Sequence, residues 1–342
     1  MKIAIHHTKG SFSDRWIAYC EKQQIPYKIV DCYRTDIIQQ LEGCTALMWH
    51  YHHASPRAFL FAKQLMYSVA AMGLKIFPDF NTAWHFDDKV GQKYLLEAIG
   101  APLVPSYVFY TKKEALDWIA NNHFPKVFKL RGGSSSANVS LAKTREQAAQ
   151  LVHQAFGKGF KQFNGWLNFK ERVRKFKKGQ TTFFDVSKGF VRIFHTTDFA
   201  KVAGREKGYV YFQDFISNND SDIRVIVVDE KAFAIKRMVR ENDFRASGGG
   251  TILYEKELFD IETIRIALDV TRKLNAQCLA FDFVYLDNKP LIVEISYGYA
   301  NEAYDPVPGY WDKDLNWHEG SLISQNWMVD MMARHSHNYT GS

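Results

Sequence analysis

Apolar and polar positions alternate with two different periods between Lys2 and Pro78. Lys2–His7, Tyr27–Asp31, Ala46–Tyr51 and Lys75–Pro78 are short apolar runs that predict strands. Between them, Ser13–Gln24 with Ser13 as N-cap, Asp36–Leu41, and Pro56–Met72 closed by Gly73 predict helices. Strands alternating with helices predict a parallel sheet with crossovers, hence a small Rossmann-like domain. The dinucleotide fingerprint GxGxxG is missing from it.

The texture changes after Asn81. Asp87–Ile99, a segment starting near Thr111, and Thr144–Phe156 have helical spacing, and Ser106–Phe109 and Lys126–Leu130 predict strands. Beyond Gly208 strands dominate: Tyr209–Phe215, Asp222–Val228, Lys231–Met238, Leu279–Tyr285 and Leu291–Ser296, with one helix over Ile261–Leu274. A last helix covers Ser324–Met332, and the polar tail 335–342 is expected to fray.

Length and composition change this picture little. A chain of 342 residues suggests two or three domains at roughly 150 residues each. With 24% charged and 46% hydrophobic residues it is ordinary for a globular protein. No apolar run approaches the ~18 residues of a spanning helix, and no signal-peptide pattern opens the chain. The cysteines Cys20, Cys32, Cys44 and Cys278 form no CxxC pair, so buried structural thiols in a reducing cytosol are expected. Charge is more informative. Residues 157–208 carry 13 Lys/Arg against 4 Asp/Glu, while the rest of the chain is nearly neutral. Within that stretch Trp166, Phe169, Val173 and Phe176 recur at helical spacing beside Lys175, Lys177 and Lys178. A basic amphipathic helix suits an acidic polymer or a membrane surface; equally, its aromatics suit packing on a core with a solvated basic face. No nucleic-acid module accompanies the charge, so nucleic acid is not the expected partner.

Three constellations could carry chemistry. A strand ending in Lys129 runs into Arg131-Gly132-Gly133-Ser134-Ser135-Ser136, whose main-chain N–H groups and hydroxyls suit phosphate oxygens; a plain surface turn is the alternative. Asp282 and Glu294 lie on two apolar strands joined through Asp287-Asn288-Lys289-Pro290, where a three-residue loop would set them opposite each other. Like charges so placed need compensation, which a divalent cation supplies, and Ser296 shares the face of Glu294. Solvent-facing carboxylates on a one-sided sheet are the alternative. Third come Gln213-Asp214-Phe215-Ile216, Asp222-Ile223-Arg224 and Asp243-Phe244-Arg245 before a triple glycine. An edge strand at Gln213–Ile216 would offer free main-chain groups to an adenine, and Arg245 could meet phosphates. Apart from these, His50, His52 and His53, with His6 and His7, fall at strand ends, where they line a cleft or bind zinc. Tyr297–Glu319, rich in Tyr, Trp and Pro, follows Glu294 directly and suits either the wall of an acceptor pocket or structural packing.

Taken in order, these motifs resemble the ATP-grasp superfamily over about residues 80–300, nearest to carboxylate–amine ligases such as D-alanine–D-alanine ligases, glutathione synthetases and ribosomal-protein glutamate ligases. The resemblance implies an α/β and α+β chain in which a Rossmann-like (pre-ATP-grasp) domain, 1–84, precedes a two-subdomain ATP-grasp fold. The first subdomain would be 85–208, including the basic insertion 157–208, and the C-terminal one 209–334. It implies ATP held between two subdomains. Lys89 and Lys129 would meet the phosphates and Gly132, Gly133, Ser134, Ser135 and Ser136 fold over them. Gln213, Asp214, Phe215 and Ile216, with Asp222, would read the adenine end. Arg245 and Lys129 would be catalytic, and Asp282, Glu294 and Ser296 would hold Mg²⁺, with Mn²⁺ as a substitute. Ser296 stands where the family usually has Asn. The implied activity is amide or peptide bond formation through an acyl phosphate, on an acidic glycan or a small carboxylate together with an amine. An ATP-grasp-type kinase and a non-catalytic nucleotide-binding scaffold are the alternatives. A homodimer, a cytoplasmic location and a peripheral contact with the inner membrane face are each compatible with this reading.

Overall fold

The computed structural model describes residues 2–52, 55–132, 139–161, 173, 176, 182, 184–185, 187, 198–239 and 251–334. Gly133–Ser136, Arg245, most of the basic segment and the tail 335–342 lie outside the described residues.

The chain opens with β1 (Ile3–His6), α1 (Phe12–Lys22), β2 (Tyr27–Val30), α2 (Ile37–Gln40), β3 (Ala46–Met48), α3 (Pro56–Ala71) and β4 (Lys75–Phe77). All four strands are parallel, in the order β2-β1-β3-β4, as the alternation predicts. Ser11 caps α1 by accepting from the Ser13 N–H. Next come α4 (Phe80–Ala83) and α5 (Lys89–Ala98), the latter capped by Asp88, whose carboxylate accepts from the Gly91 N–H at 2.9 Å.

A second sheet follows: β5 (Ser106–Phe109), α6 (Lys112–Ala120), β6 (Lys126–Lys129), β7 (Val139–Ala142) and α7 (Arg145–Ala155), then β8 (Phe160–Lys161), α8 (Asp198–Ala203), β9 (Arg205–Glu206) and β10 (Val210–Asp214). Its strand order is β5-β10-β6-β7. Phe128, Val210 and Phe212 pack under α6 and α7 with Ala115, Ile119, Ala148 and Val152.

The remaining strands are β11 (Ser221–Val228), β12 (Lys231–Met238), β13 (Ile252–Leu253), β14 (Cys278–Leu286), β15 (Lys289–Ser296), β16 (Gly309–Trp311) and β17 (Trp317–Glu319), with α9 (Ile261–Lys273) and α10 (Ser324–Ala333). They form a seven-stranded antiparallel sheet in the order β15-β14-β11-β12-β16-β17, with β13 also on β12. One face is apolar along its centre. Ile223, Val225, Val227, Ala234, Leu279, Phe281, Phe283, Ile292 and Ile295 meet Ile264, Ala267 and Leu268 of α9. The other face is divided. Ile226, Val228, Phe233, Cys278 and Ala280 join Ile3, Ile5, Phe12 and Trp16 of the first domain and Met328, Val329 and Met332 of α10 in one core. Charged residues occupy the rest.

Two compact units result. The larger runs to His52, resumes over Phe61–Val104 and takes the chain from Ile216 onward; the smaller comprises Pro105–Phe215 and the stretch up to Leu60. The expected boundaries shift accordingly. Helix α5 belongs with the first domain and the large sheet. Strand β10, expected to open the C-terminal subdomain, is instead paired inside the sheet of the smaller unit.

Candidate active site

The charged part of the large sheet is built from four adjacent strands. On β11, Asp222 and Arg224 are two residues apart and so share a face. Arg237 on β12 registers with Asp222, Asp282 on β14 with Arg224, and Glu294 on β15 with Asp282. Five ionised side chains therefore form one band across the sheet.

The alignment of the two acids depends on a bulge. The β14–β15 connection is a two-residue turn at Asp287-Asn288, both with positive φ as a type I′ turn requires, not the expected three-residue loop. From that turn, Leu286 pairs with Lys289 and Phe283 with Ile292. Plain alternation would then set Val293 against Asp282. The register instead shifts by one between Asp282 and Phe283, so Glu294 takes that place. Ile292 and Ile295, three residues apart, consequently both bury on the α9 face, which simple alternation forbids.

Opposed carboxylates are unfavourable unless balanced. Arg224 donates to Asp282 from Nη1 at 3.1 Å, and Arg237 Nη2 lies 2.9 Å from the same carboxylate. Arg237 Nε also donates to Asp222 at 2.7 Å, and its Nη2 completes a bidentate pair. Burial pushes the Asp222 carboxyl above its ordinary value while Arg237 pulls the other way. Burial opposes the charge on Arg237 too, but Asp282 and Asp222 outweigh it and hold the guanidinium protonated. Glu294 is met by Lys89, whose Nζ is 3.3 Å from Oε1. Lys89 is the first residue of α5, and one turn on Gln92 accepts from the Ile295 N–H at 3.3 Å and donates to the His85 carbonyl at 3.0 Å. Helix α5 is thus fastened to β15 beside Glu294.

The loop after β15 closes the band at one end. The Ser296 hydroxyl shares the face of Glu294 and is engaged with Gly298, accepting from its N–H and donating to its carbonyl at 3.1 Å. Arg224 Nη2 donates to the same Gly298 carbonyl at 3.4 Å. Tyr297 donates to the Tyr51 carbonyl at 2.6 Å. Asn301 and Tyr299 are held by Gln325, whose amide donates to both, and Tyr299 bonds the Ser324 hydroxyl at 2.6 Å. Two histidines of the first domain, His6 and His50, are used locally, and His53 lies outside the described residues. His6 Nδ1 accepts from the Cys32 N–H at 3.0 Å, and His50 stacks on Phe12 and accepts its N–H through Nδ1 at 3.2 Å. Among the described residues, no three His, Cys, Asp or Glu side chains gather as a metal cluster. Cys20, Cys32 and Cys278 are buried, and burial pushes the Cys20 thiol up to about 11, so it is inert at neutral pH.

The smaller unit holds the other predicted residues. Lys129 closes β6, almost fully buried, and registers with Tyr211. On the same face Tyr211 and Gln213 both donate to the Ser106 hydroxyl, at 2.9 and 3.1 Å. Asp214 faces the opposite way and pairs with Lys126 at 2.5 Å. The edge-strand expectation fails for Gln213 and Asp214. Strand β10 is interior, so both main chains are already bonded to β5 and β6. Only Phe215 and Ile216 extend past the strand. Gly132 follows β6 at the limit of the described residues. Arg224 and Arg237 received no role from the sequence. The available signal was an arginine two residues beyond Asp222 on a strand, and one near the end of β12 after the apolar run Ala232–Ile235.

As a cation site, Asp282, Glu294 and Ser296 provide oxygen donors of the kind a hard cation takes, on one face. Their chemistry fits Mg²⁺. Their charge is already balanced, since Arg224, Arg237 and Lys89 match Asp222, Asp282 and Glu294 one for one.

Residues 196–304, which contain this band apart from Lys89, match the family described as the RimK-like ATP-grasp domain. The chain has an ATP-grasp fold. A RimK domain ATP-grasp protein from Sphaerobacter thermophilus superposes with TM-score 0.55 at 12% identity, covering 98% of this chain and 100% of that one. D-alanine–D-alanine ligase from Bacillus anthracis, complexed with ATP, gives 0.55 at 13% identity over 97% and 96% of the two chains. The biotin carboxylase domain of Hydrogenobacter thermophilus 2-oxoglutarate carboxylase gives 0.61 at 10% identity over 99% and 70%. No curated protein matches the sequence.

Proposed function

We propose that the chain is an ATP-dependent carboxylate–amine ligase, and that the band from Arg237 to Glu294 is its phosphoryl-transfer site. The observation that carries this reading is the bulge-aligned pair Asp282–Glu294, which lies inside a RimK-like ATP-grasp match and is flanked by Arg224, Arg237 and, from outside the match, Lys89.

A carboxylate oxygen of one substrate attacks the γ-phosphorus of ATP, giving an acyl phosphate and ADP. The amine nitrogen of the second substrate then attacks the acyl carbon, and inorganic phosphate leaves. Such chemistry needs positioning and charge stabilisation more than a protein nucleophile. Arg224 and Arg237 supply it: their guanidinium planes are held by Asp282, Asp222 and the Gly298 carbonyl, so they present donors to anionic oxygens without reorganising. Lys129 and Lys89 would meet phosphate oxygens, the loop Gly132–Ser136 would fold over them, and Arg245 with Lys129 would offset charge developing on the transferred group. Phe215 and Ile216 would offer main-chain groups to the base. Asp282, Glu294 and Ser296 would hold Mg²⁺, which when bound neutralises phosphate charge. The basic segment 157–208 would attract an acidic carboxylate donor, such as an acidic glycan or an amino acid.

The test is ADP release from ATP across a panel of amino acids, uronic acids and peptides paired with amines. Release that requires both a carboxylate and an amine supports ligation. Release with a hydroxyl acceptor alone would make the protein a kinase. Nucleotide binding without turnover on any pair would leave it a scaffold.

A further inference from the structure

Lys89 is unusually placed for a phosphate-binding lysine. Its side chain is only 5% exposed, and its ammonium lies against Glu294, whose own side chain is 31% exposed. The stem is held in the first turn of α5 by the Asp88 cap, and Gln92 anchors the next turn to β15. Among the described residues the band carries three acids and three bases. A divalent cation entering it must give up tightly held water for carboxylates that already have cationic partners. A polyphosphate changes the balance, because its oxygens compete with Glu294 for the ammonium, a compact charge on a flexible stem.

Resting on the ligase reading above, we infer that Lys89 is a latch on the cation site. In the nucleotide-free chain it occupies Glu294. A divalent cation gains the Asp282–Glu294 pair only together with a polyphosphate that draws Lys89 away. The site is therefore loaded by the metal–nucleotide complex and not by metal first.

The test measures Mn²⁺ binding by loss of the free-ion electron paramagnetic resonance signal, in the absence of nucleotide. Wild type, Lys89→Met, Lys89→Arg and the double variant Lys89→Met/Glu294→Gln are compared. Lys89→Met is expected to bind Mn²⁺ at least about tenfold tighter than wild type, the order expected for removing one buried cation beside a partly exposed carboxylate at this distance. Lys89→Arg stays at the wild-type value, and Glu294→Gln cancels the gain. Lys89→Gln repeats the comparison with a neutral, hydrogen-bonding side chain if the methionine variant fails to fold. Wild-type binding as tight as that of the neutral variants, or no gain in either, overturns the latch. Binding of a fluorescent ADP analogue is measured separately. Its absence would remove the nucleotide reading, whereas the metal comparison decides the latch in either case.

Discussion

Arg224 reaches Asp282 with Nη1 at 3.1 Å and, through Nη2, the Gly298 carbonyl at 3.4 Å, so one guanidinium ties strand β14 to the loop beyond β15. Removing Asp282 strips both Arg224 and Arg237 of a counter-charge in a largely buried setting. Asp282→Ala is expected to cost roughly 3 kcal/mol in urea denaturation. Asp282→Asn keeps the shape and part of the hydrogen bonding. It should fold with a smaller loss, yet lower any substrate-dependent ADP release by about a hundredfold or more. Wild-type turnover in Asp282→Asn would remove the band from the chemistry.

Val293 is the extra residue of the bulge, between Ile292 and Glu294. Deleting it joins Ile292 directly to Glu294, so plain alternation from the turn still sets the carboxylate opposite Asp282 and Ile295 on the face under α9. The deletion is expected to keep a cooperative thermal transition, and loss of that transition would show that the hairpin needs the bulge for more than this alignment. Val293→Ala, which keeps the backbone count, should lower the melting temperature only slightly.

The turn of this hairpin shows what the sequence could and could not reveal. The opposition of Asp282 and Glu294 was legible from two apolar strands carrying one acid each. Its cause was not, because a two-residue turn plus a bulge yields the same pairing as a three-residue loop. Strand order was likewise hidden. The apolar pattern of Val210–Asp214 announces a strand but not its neighbours, and pairing with both β5 and β6 removed its main chain from use. The parallel first sheet, by contrast, followed directly from period alone. Arg224, though part of the Asp222-Ile223-Arg224 motif, and Arg237 pointed to no role because a single arginine on a strand reads the same whether it faces solvent or a carboxylate. Short strands such as β7, β16 and β17 carry too few residues for a period to emerge.

His85 lies fully buried between α4 and α5, and neither ring nitrogen has a hydrogen-bond partner among the described residues. The Asn81 carbonyl is near enough to favour the charged ring slightly, though outside bonding geometry. Burial first, and then the nearby Lys63 ammonium, lower its pKa to about 4, with Asp88 a weaker opposing influence. A depressed histidine contributes stability that is present above its unfolded value of about 6.5 and falls away as pH drops toward 4. The loss across that window is about 3 kcal/mol. In urea titrations at pH 7 and pH 4, His85→Leu should lose correspondingly less than wild type. At pH 7 it should be near neutral, since no hydrogen bond is forfeited.

Gln325 is almost fully buried and bridges Tyr299, Asn301 and Arg15, joining α10, the loop beyond β15 and α1. Gln325→Ala leaves these groups short of partners and opens a void. A loss of about 2 kcal/mol by urea denaturation is expected. An unchanged midpoint would mean that solvent replaces the amide at no cost.

The Phe12 N–H that points into the His50 ring decides where that ring keeps its single hydrogen. With Nδ1 committed as an acceptor, the neutral imidazole can exist only as the Nε2–H tautomer. A second proton would have to meet an amide hydrogen head-on at the positive end of α1. The junction of β3 with the first helix therefore carries an Nε2–H donor, near Gly298, that cannot exchange roles with an acceptor as an unconstrained histidine does.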